Sequence, residues 1–198
     1  MIRLGLTGSI GMGKSTTAAL FAEAGLPAND ADAVVHDLYS GEAAPLVEEA
    51  FPGATRNGSV DRAELSRQLA ARPADFKRLE AIVHPLVRQR EANFLKQQID
   101  AGKDIVVLDI PLLFESGATD RVDVIVVVSC DPQIQRDRVL ARPGMTEEKF
   151  NLILSRQMPD AEKRARADYV IDTGRGIDDA RGQVKKIVAA LRRTDRQG

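Results

Sequence analysis

The sequence is short of the residues that build disulfides and aromatic clusters. Its 198 residues include one cysteine, no tryptophan, two tyrosines and six phenylalanines. The single cysteine, Cys130, can form neither an internal disulfide nor a multi-cysteine metal site, so we expect it to pack at the end of a strand. This cysteine usage is typical of a protein that works in a reducing cytoplasm.

A charge excess and a long apolar segment are also missing. Lysine and arginine number 28, and aspartate and glutamate number 29, which gives a net charge of −1. This balance argues against nucleic-acid and membrane partners, because both usually require a positive field over the whole protein. The apolar runs are too short to cross a bilayer, and a strand predicted at the start leaves no room for a signal peptide. We expect a cytoplasmic monomer or small homo-oligomer.

What the sequence does contain, close to its start, is a complete phosphate-binding loop (P-loop). Residues 8–15, GSIGMGKS, fit the pattern G-x-x-x-x-G-K-[ST]. An apolar run at Ile2–Leu6 predicts a strand before the loop, and Thr16–Ala24 predicts an amphipathic helix after it. The glycines let backbone N–H groups crowd around phosphate oxygens, and the positive end of the helix faces them.

The motif predicts an ATP site in which the side chains have separate tasks. Lys14 is expected to reach the β- and γ-phosphates, and the Ser15 hydroxyl is expected to hold Mg²⁺. The ATP-binding residues predicted in and just after the loop are Gly11, Met12, Gly13, Lys14, Ser15 and Thr16.

The apolar segments predict an α/β fold with a parallel sheet, of the three-layer P-loop NTPase type. Predicted strands are Ile2–Leu6, Leu26–Asn29, Ile105–Ile110, Val124–Val128 and Tyr169–Ile171. The third and fourth are almost continuous in valine, isoleucine and leucine, as in parallel strands that are covered on both faces. Leu26–Asn29 has a weak strand composition and is placed by topology.

The chain is expected to form one domain over residues 1–198, with two insertions. The first insertion, over about 37–102, is predicted to be a helical substrate-binding subdomain. It includes a helix that begins near Pro85 and runs to about Ala101. The chain is predicted to end in a helix over Ile177–Leu191 and a frayed tail over Arg192–Gly198.

The second insertion, over about 131–168, is rich in basic residues and is either a short lid that closes over phosphates or a solvated helical face. Its two predicted helices meet at Pro143-Gly144, and Thr146 is the expected N-cap of the second. Arg138 and Arg142 lie four residues apart on one predicted helix face and can offer guanidinium groups to ATP phosphates. Arg142 is the stronger candidate because it lies beside the Pro143-Gly144 turn. For both arginines, a solvent-exposed charged helix is the alternative.

Carboxylates at two predicted strand ends supply the remaining chemistry of a phosphotransferase. Asp32 follows the second strand, where a carboxylate can accept a hydrogen bond from an attacking hydroxyl. Asp30 is expected to cap the next helix, and Asp61 is expected to cap a helix within the first insertion. Asp109 lies at the end of the third strand and is either an aid to Mg²⁺, through water, or a structural acid. The sequence has neither the N-K-x-D signature of GTPases nor the L-S-G-G-Q signature of ABC-type ATPases, which favours a small-molecule kinase.

In order and spacing, several short motifs resemble the dephospho-CoA kinase family over nearly the whole chain, from Ile2 to about Leu191. The matching motifs are LTGSIGMGKST at 6–16, DAD at 30–32, Asp61-Arg62, His84-Pro85, PLLFE at 111–115, Gln135 with Arg138 and Arg142, Gln157, and ADYVI at 167–171. The combination of DAD, HP and PLLFE in this order is much narrower than the P-loop alone. The family often has a small residue in place of Met12, and commonly has asparagine in place of Thr173.

The resemblance implies a kinase that transfers a phosphoryl group from ATP to the ribose 3′-hydroxyl of dephospho-CoA, giving coenzyme A and ADP. It implies that Asp32 acts on that hydroxyl, and the other predicted catalytic residues are Lys14 and Arg142. The implied acceptor-binding residues are Asp32, Arg62, His84, Pro111, Leu112 and Glu115. Judged by residue type alone, Arg62 is a surface helix residue, His84 a structural histidine and Pro111–Phe114 part of the core.

Two other functions stay open at this point. The first is another P-loop nucleoside or nucleotide kinase, which would use the same Lys14 and Asp32 with a different acceptor pocket. The second is an ATP-dependent regulatory protein without an acceptor, which predicts slow hydrolysis that dephospho-CoA does not change.

Overall fold

The computed structural model describes residues 1–194, in which strands and helices follow one another along the chain. The elements are β1 (Ile2–Thr7), α1 (Lys14–Glu23), β2 (Ala28–Asp30), α2 (Ala31–Tyr39), α3 (Ala43–Ala50), β3 (Thr55–Arg56), β4 (Ser59–Val60), α4 (Arg62–Ala71), α5 (Phe76–Asp100), β5 (Ile105–Asp109), β6 (Val124–Ser129), α6 (Pro132–Leu140), α7 (Glu147–Leu154), α8 (Asp160–Ala165), β7 (Tyr169–Asp172) and α9 (Ile177–Thr194). They form two compact units, Met1–Asn29 with the chain from Ala101 onward, and Asp30–Asp100.

The sheet of the first unit has the strand order β2-β5-β1-β6-β7. Parallel pairing places Ile2 opposite Ile105, Leu4 opposite Val124, and Val126 opposite Tyr169. All five strands predicted from the sequence are confirmed, and so is the α/β fold class. The carboxyl ends of these parallel strands meet at one edge, which is where α/β proteins place their ligands.

Both faces of the central strands are buried, which explains why their sequences do not alternate. Every residue of β5, from Ile105 to Asp109, is buried. On one face, Leu4, Leu6 and Val107 pack with side chains of α1 and α9. On the other face the chain passes close to Val122 at Gly5, where a Cβ would lie 2.8 Å from a methyl carbon of Val122.

The basic segment after β6 contains three helices, where the sequence predicted two. α6 ends before the Pro143-Gly144 turn, and α7 begins after Thr146, whose hydroxyl accepts a hydrogen bond from the N–H of Lys149 as predicted. α8 is an additional short helix that contacts β6.

The second unit is helical and has a hydrophobic core of its own. Its buried residues include Leu38, Val47, Phe51, Leu65 and Leu69. Two predicted N-caps are present at the ends of its helices. Asp30 accepts hydrogen bonds from the backbone at the start of α2, and Asp61 does the same for α4. Caps of this kind are local interactions, which is why the sequence predicts them.

Two features of the second unit differ from the prediction. Pro85 lies inside α5, which begins at Phe76, so the prediction of a helix starting near Pro85 is wrong. A proline removes one backbone hydrogen bond and strains the preceding turn, but packing of a long helix can offset that cost. The β3–β4 hairpin is also absent from the predicted strands. Its turn contains Asn57 and Gly58, whose positive φ angles of 54° and 79° suit a tight hairpin turn.

The last helix is longer than predicted. α9 continues to Thr194, so the expectation of fraying is wrong for Arg192 to Thr194, and the Arg192 guanidinium binds Asp104 at 2.6 Å. The remainder of the predicted tail, 195–198, lies outside the described residues. Among the helices of residues 1–194, none combines the length and the apolar character needed to cross a membrane.

Candidate functional site

The P-loop connects the end of β1 to the start of α1 at the carboxyl edge of the sheet. Gly11 and Gly13 adopt φ angles of 78° and 91°, which side chains other than glycine rarely tolerate. A Cβ on Gly11 would also lie 2.5 Å from a methyl carbon of Val139. The loop therefore needs glycine at position 11 for both conformation and space, and glycine at position 13 for conformation. α1 begins directly at Lys14.

Two glutamine side chains form hydrogen bonds to the backbone of this loop. The carbonyl oxygen of Ile10 accepts a hydrogen bond of 2.7 Å from Nε2 of Gln135, which is buried in α6. The N–H of Ile10 donates a hydrogen bond of 3.1 Å to Oε1 of Gln157, which follows α7. Both polar groups of one loop residue are thus satisfied by side chains from distant parts of the chain.

Thr173, just after β7, holds the loop at a second point. Its hydroxyl donates a hydrogen bond of 2.7 Å to the carbonyl oxygen of Met12. The Arg138 guanidinium in turn donates to Thr173, at 3.0 Å to the hydroxyl oxygen and 2.8 Å to the carbonyl oxygen. Arg138, predicted as a phosphate ligand, therefore also connects α6 to the chain after β7.

The side chain of Met12 points into the core, where the family often has a smaller residue. Its sulfur accepts a hydrogen bond of 3.2 Å from the N–H of Cys130 and lies 3.5 Å from the Cys130 sulfur. Burial raises the pKa of the Cys130 thiol, and this effect outweighs the nearby positive charge of Arg138, which lowers the pKa. The lone cysteine packs at the end of β6, as predicted.

The charged centre of the site is formed by Lys14 and Asp109. The Lys14 ammonium nitrogen lies 2.5 Å from Oδ1 of Asp109, and only 15% and 3% of the two side chains are exposed. Asp109 is the last residue of β5, which runs beside β1, so the sheet itself brings the acid to the start of α1.

A cavity of about 310 Å³ borders the loop in the first unit. Its lining includes five predicted ATP-binding residues, namely Gly11, Gly13, Thr16, Arg138 and Arg142, and the first residue of α9, Ile177. α6 ends at Leu140, so Arg142 lies just beyond the helix and not on its face as expected. The two arginines nevertheless border the same cavity.

The segment Pro111–Glu115 has several separate contacts. The Pro111 carbonyl oxygen accepts a hydrogen bond of 3.1 Å from the Thr7 hydroxyl, Leu113 is buried, and Leu112 is exposed. Glu115 lies 2.8 Å from the ammonium nitrogen of Lys163, a lysine with no exposed surface, and accepts a hydrogen bond from the N–H of Met158 at 2.8 Å. Glu115 is thus part of an ion pair that fixes α8.

The other predicted acceptor residues belong to the second unit. Asp32 is exposed in the first turn of α2, and its N–H donates to the capping carboxylate of Asp30 at 2.9 Å. The guanidinium of Arg62, the first residue of α4, stacks over the ring of Tyr39 with 5.3 Å to the centroid. Burial raises the pKa of Tyr39, although the Arg62 charge opposes this. His84 is exposed on α5.

The donor atoms limit how a metal ion can bind. Residues 1–194 contain no group of three or more histidine, cysteine, aspartate or glutamate side chains that could hold one. The oxygen donors considered for Mg²⁺ from the sequence are the Ser15 hydroxyl, at the start of α1, and the Asp109 carboxylate, which is buried. Mg²⁺ commonly binds proteins through one or two oxygen ligands together with phosphate oxygens, so these residues fit Mg²⁺ carried by a nucleotide.

Sequence reasoning assigned no role to three residues that the structure places around the loop, Gln135, Gln157 and Thr173, or to Lys163, which pairs with Glu115. The first two had been noted only as motif positions, and Thr173 only as a departure. The two glutamines are polar residues at motif positions, and no reaction step requires them. That combination is a signal that could have identified them.

The chain matches the family model described as dephospho-CoA kinase over residues 2–179. It is 68% identical over 192 residues to the dephospho-CoA kinase of Rhizobium etli, covering 97% of this chain and 95% of that protein.

Solved structures share the fold over almost the full length. The crystal structure of TT1252 from Thermus thermophilus has a TM-score of 0.85 and 35% identity, and the match covers 96% of both chains. The dephospho-CoA kinase from Campylobacter jejuni has a TM-score of 0.74, covers 98% of both chains and is 23% identical, which shows the same fold.

Proposed function

Because this chain belongs to the dephospho-CoA kinase family, we propose that its P-loop holds ATP for phosphoryl transfer to dephospho-CoA. The family is one of phosphotransferases that use ATP and complete coenzyme A synthesis by phosphorylating the ribose 3′-hydroxyl. Of the functions left open by the sequence, the family match favours this one over other small-molecule kinases and over a regulatory ATP-binding protein.

The observation that carries the proposal is the Lys14–Asp109 pair at the end of a complete P-loop. Phosphoryl transfer spreads negative charge over the phosphate oxygens, and fixed positive charge stabilises it. Lys14 supplies such a charge at the start of α1, beside the backbone N–H groups of the loop. Arg142, at the border of the adjoining cavity, supplies a second guanidinium that can pair with phosphate oxygens in a bidentate way.

On the acceptor side, Asp32 orients the 3′-hydroxyl and accepts its proton. Its position supports this role, because the side chain is exposed while Asp30 caps the helix, so Asp32 is left for the substrate. In the second unit, Arg62 and His84 bind the acceptor, and in the first unit Pro111, Leu112 and Glu115 are further acceptor-binding residues. The helical unit that carries Asp32, Arg62 and His84 is the substrate-binding subdomain, and the segment after β6 is the lid.

The Ser15 hydroxyl would hold Mg²⁺ that arrives with the nucleotide. Asp109 would either aid the ion through water or act only as the structural partner of Lys14. When bound, the ion neutralises charge on the phosphate oxygens.

The protein works in the cytoplasm as a monomer or small homo-oligomer, without a nucleic-acid partner. The near-neutral net charge and the single buried cysteine support this. Light scattering after size exclusion measures the oligomeric state.

The experiment that tests the function is ADP release from purified protein with Mg-ATP, with and without dephospho-CoA, and with the product identified by mass. ADP release that depends on the acceptor, with a product heavier by one phosphoryl group, supports the proposal. ADP release that is indifferent to dephospho-CoA would leave a nucleotide site and reject the acceptor.

A further inference from the structure

We propose that Gln135 and Gln157 are positioning residues that hold the peptide groups on either side of Ile10, so that the P-loop keeps the shape that binds phosphate. The proposal rests on the function proposed above only in taking ATP as the ligand of the loop. It assigns a role to two side chains that do not themselves take part in phosphoryl transfer.

The polarity of the two contacts is set by the backbone. The Ile10 carbonyl can only accept, so Gln135 must present its Nε2 donor, at 2.7 Å. The Ile10 N–H can only donate, so Gln157 must present its Oε1 acceptor, at 3.1 Å. Gln135 therefore donates a hydrogen bond to Ile10, and Gln157 accepts one from it.

Because a peptide unit is planar, each of these contacts also sets the direction of the other polar group in the same peptide. In a trans peptide the C=O and N–H groups point in opposite directions. The Ile10 carbonyl points towards Gln135, so the N–H of Gly11 in the same peptide points away from α6. By the same geometry Gln157 directs the Ser9 carbonyl away from itself, and that carbonyl accepts a hydrogen bond of 3.1 Å from the N–H of Met12.

Both glutamines are themselves held firmly. Gln135 is 5% exposed and lies in α6, whose first turn is capped by Asp131. Gln157 precedes Met158, whose N–H binds Glu115, the partner of the buried Lys163. Anchored side chains can fix a glycine-rich loop, which otherwise has many backbone conformations available.

The opposite polarity of the two contacts allows a matched test. Gln135→Glu and Gln157→Glu add the same negative charge next to the same loop residue. At position 157 a carboxylate still accepts from the Ile10 N–H, whereas at position 135 it faces a carbonyl oxygen and cannot donate. Gln133→Glu, on the exposed side of α6, is the control for added charge on that helix.

We expect the KM for ATP to be at least about ten-fold higher in Gln135→Glu than in Gln157→Glu, the effect of losing one hydrogen bond. Gln135→Met and Gln157→Met, which only remove the contact, should raise this KM by similar factors. The KM for dephospho-CoA is the internal control and should change little, and Gln133→Glu should match the wild type.

Calorimetric titration with a non-hydrolysable ATP analogue repeats the comparison without turnover. A missing acceptor reaction would then reject the kinase function while the glutamine effect on nucleotide affinity persists. Equal affinities of the two glutamate variants would overturn the proposal. So would Met variants that bind ATP normally, or that weaken ATP and dephospho-CoA equally as the melting temperature falls. If Gln135→Glu does not fold, the two methionine variants decide.

Discussion

The ammonium nitrogen of Lys14 lies 2.5 Å from Oδ1 of Asp109 and so joins the first residue of α1 to the last residue of β5. Both side chains are largely buried. Charges interact more strongly in such a buried environment than at the surface. Asp109 restrains the lysine at the end of the P-loop, so in the proposed complex the phosphates of ATP would compete with the carboxylate for the same ammonium group.

Removal of Lys14 should slow the chemical step strongly. For Lys14→Ala we expect kcat to fall by about 10²–10³, since one fixed group that stabilises transition-state charge is lost. Steady-state assays with saturating dephospho-CoA measure this, and Lys186→Ala on the exposed side of α9 is the control. Turnover near the wild-type value in Lys14→Ala would contradict the assignment.

Replacement of Asp32 should separate transfer from nucleotide binding. Asp32→Asn keeps the size of the side chain but removes the base, so kcat should fall by about 10²–10⁴. ATP affinity, measured by calorimetry, should stay almost unchanged. Asp37→Asn, an exposed position on the same helix, is the matched control. If transfer survives in Asp32→Asn, positioning alone or Asp30 performs the role assigned to Asp32.

The sequence predicted those features that depend on neighbouring residues. The unbroken apolar run of β5 identifies a buried parallel strand, and Asp30, Asp61 and Thr146 identify helix starts, because each effect acts within one turn or one strand. The P-loop is predictable for the same reason, since its motif contains the loop and its own helix start.

Contacts between distant segments could not be predicted in this way. Gln157 meets Ile10, and Lys163 meets Glu115, only after the sheet has brought their segments together. Glutamine and lysine are ordinary surface residues, so nothing in their local sequence indicates burial. Pro85 shows the opposite case, where a strong local signal for a helix start is overridden by the packing of a long helix.

Arg142 and Arg138 should behave differently although both border one cavity. Arg142→Ala should lower kcat more than it raises the KM for dephospho-CoA, because its guanidinium is expected to stabilise the transferring phosphoryl group. Arg142→Lys, which keeps the charge but loses the planar fork, should recover only part of the loss. A larger effect on acceptor KM than on kcat would argue against a lid role for this segment.

For Arg138→Ala we expect a loss of stability together with weaker ATP binding. Its guanidinium binds both the hydroxyl and the carbonyl of Thr173, which in turn holds Met12 in the P-loop. Thermal unfolding and ATP affinity should therefore change together. Arg136→Ala, an exposed position on the same helix, is the control. An Arg138 variant of normal stability that loses only phosphate affinity would indicate direct ligand contact alone.

The Glu115–Lys163 pair should make stability depend on acid pH. Burial alone would raise the pKa of the Glu115 carboxyl, but hydrogen bonds from Lys163 and the N–H of Met158 outweigh it and hold the pKa below its usual value. A carboxyl whose pKa is lower in the folded state stabilises the fold above its unfolded pKa of about 4.3, and this stabilisation is lost as pH falls through the folded value.

Replacing one partner should therefore lower the free energy of unfolding most at neutral pH. Lys163→Met leaves a carboxylate without its lysine in a mostly buried place, and we expect the free energy of unfolding to fall by about 3 kcal/mol at pH 7, at the lower end of the range for broken buried pairs. The double variant Glu115→Leu with Lys163→Met should recover part of this, because no unpaired charge remains. Urea unfolding from pH 7 to pH 3 measures the difference in the free energy of unfolding, which should shrink as Glu115 becomes protonated.

Lys96→Met, in an exposed pair with Asp100, should show a smaller change. A Lys163→Met cost that stays constant across this pH range would mean that lost packing, and not the ion pair, destabilises the variant.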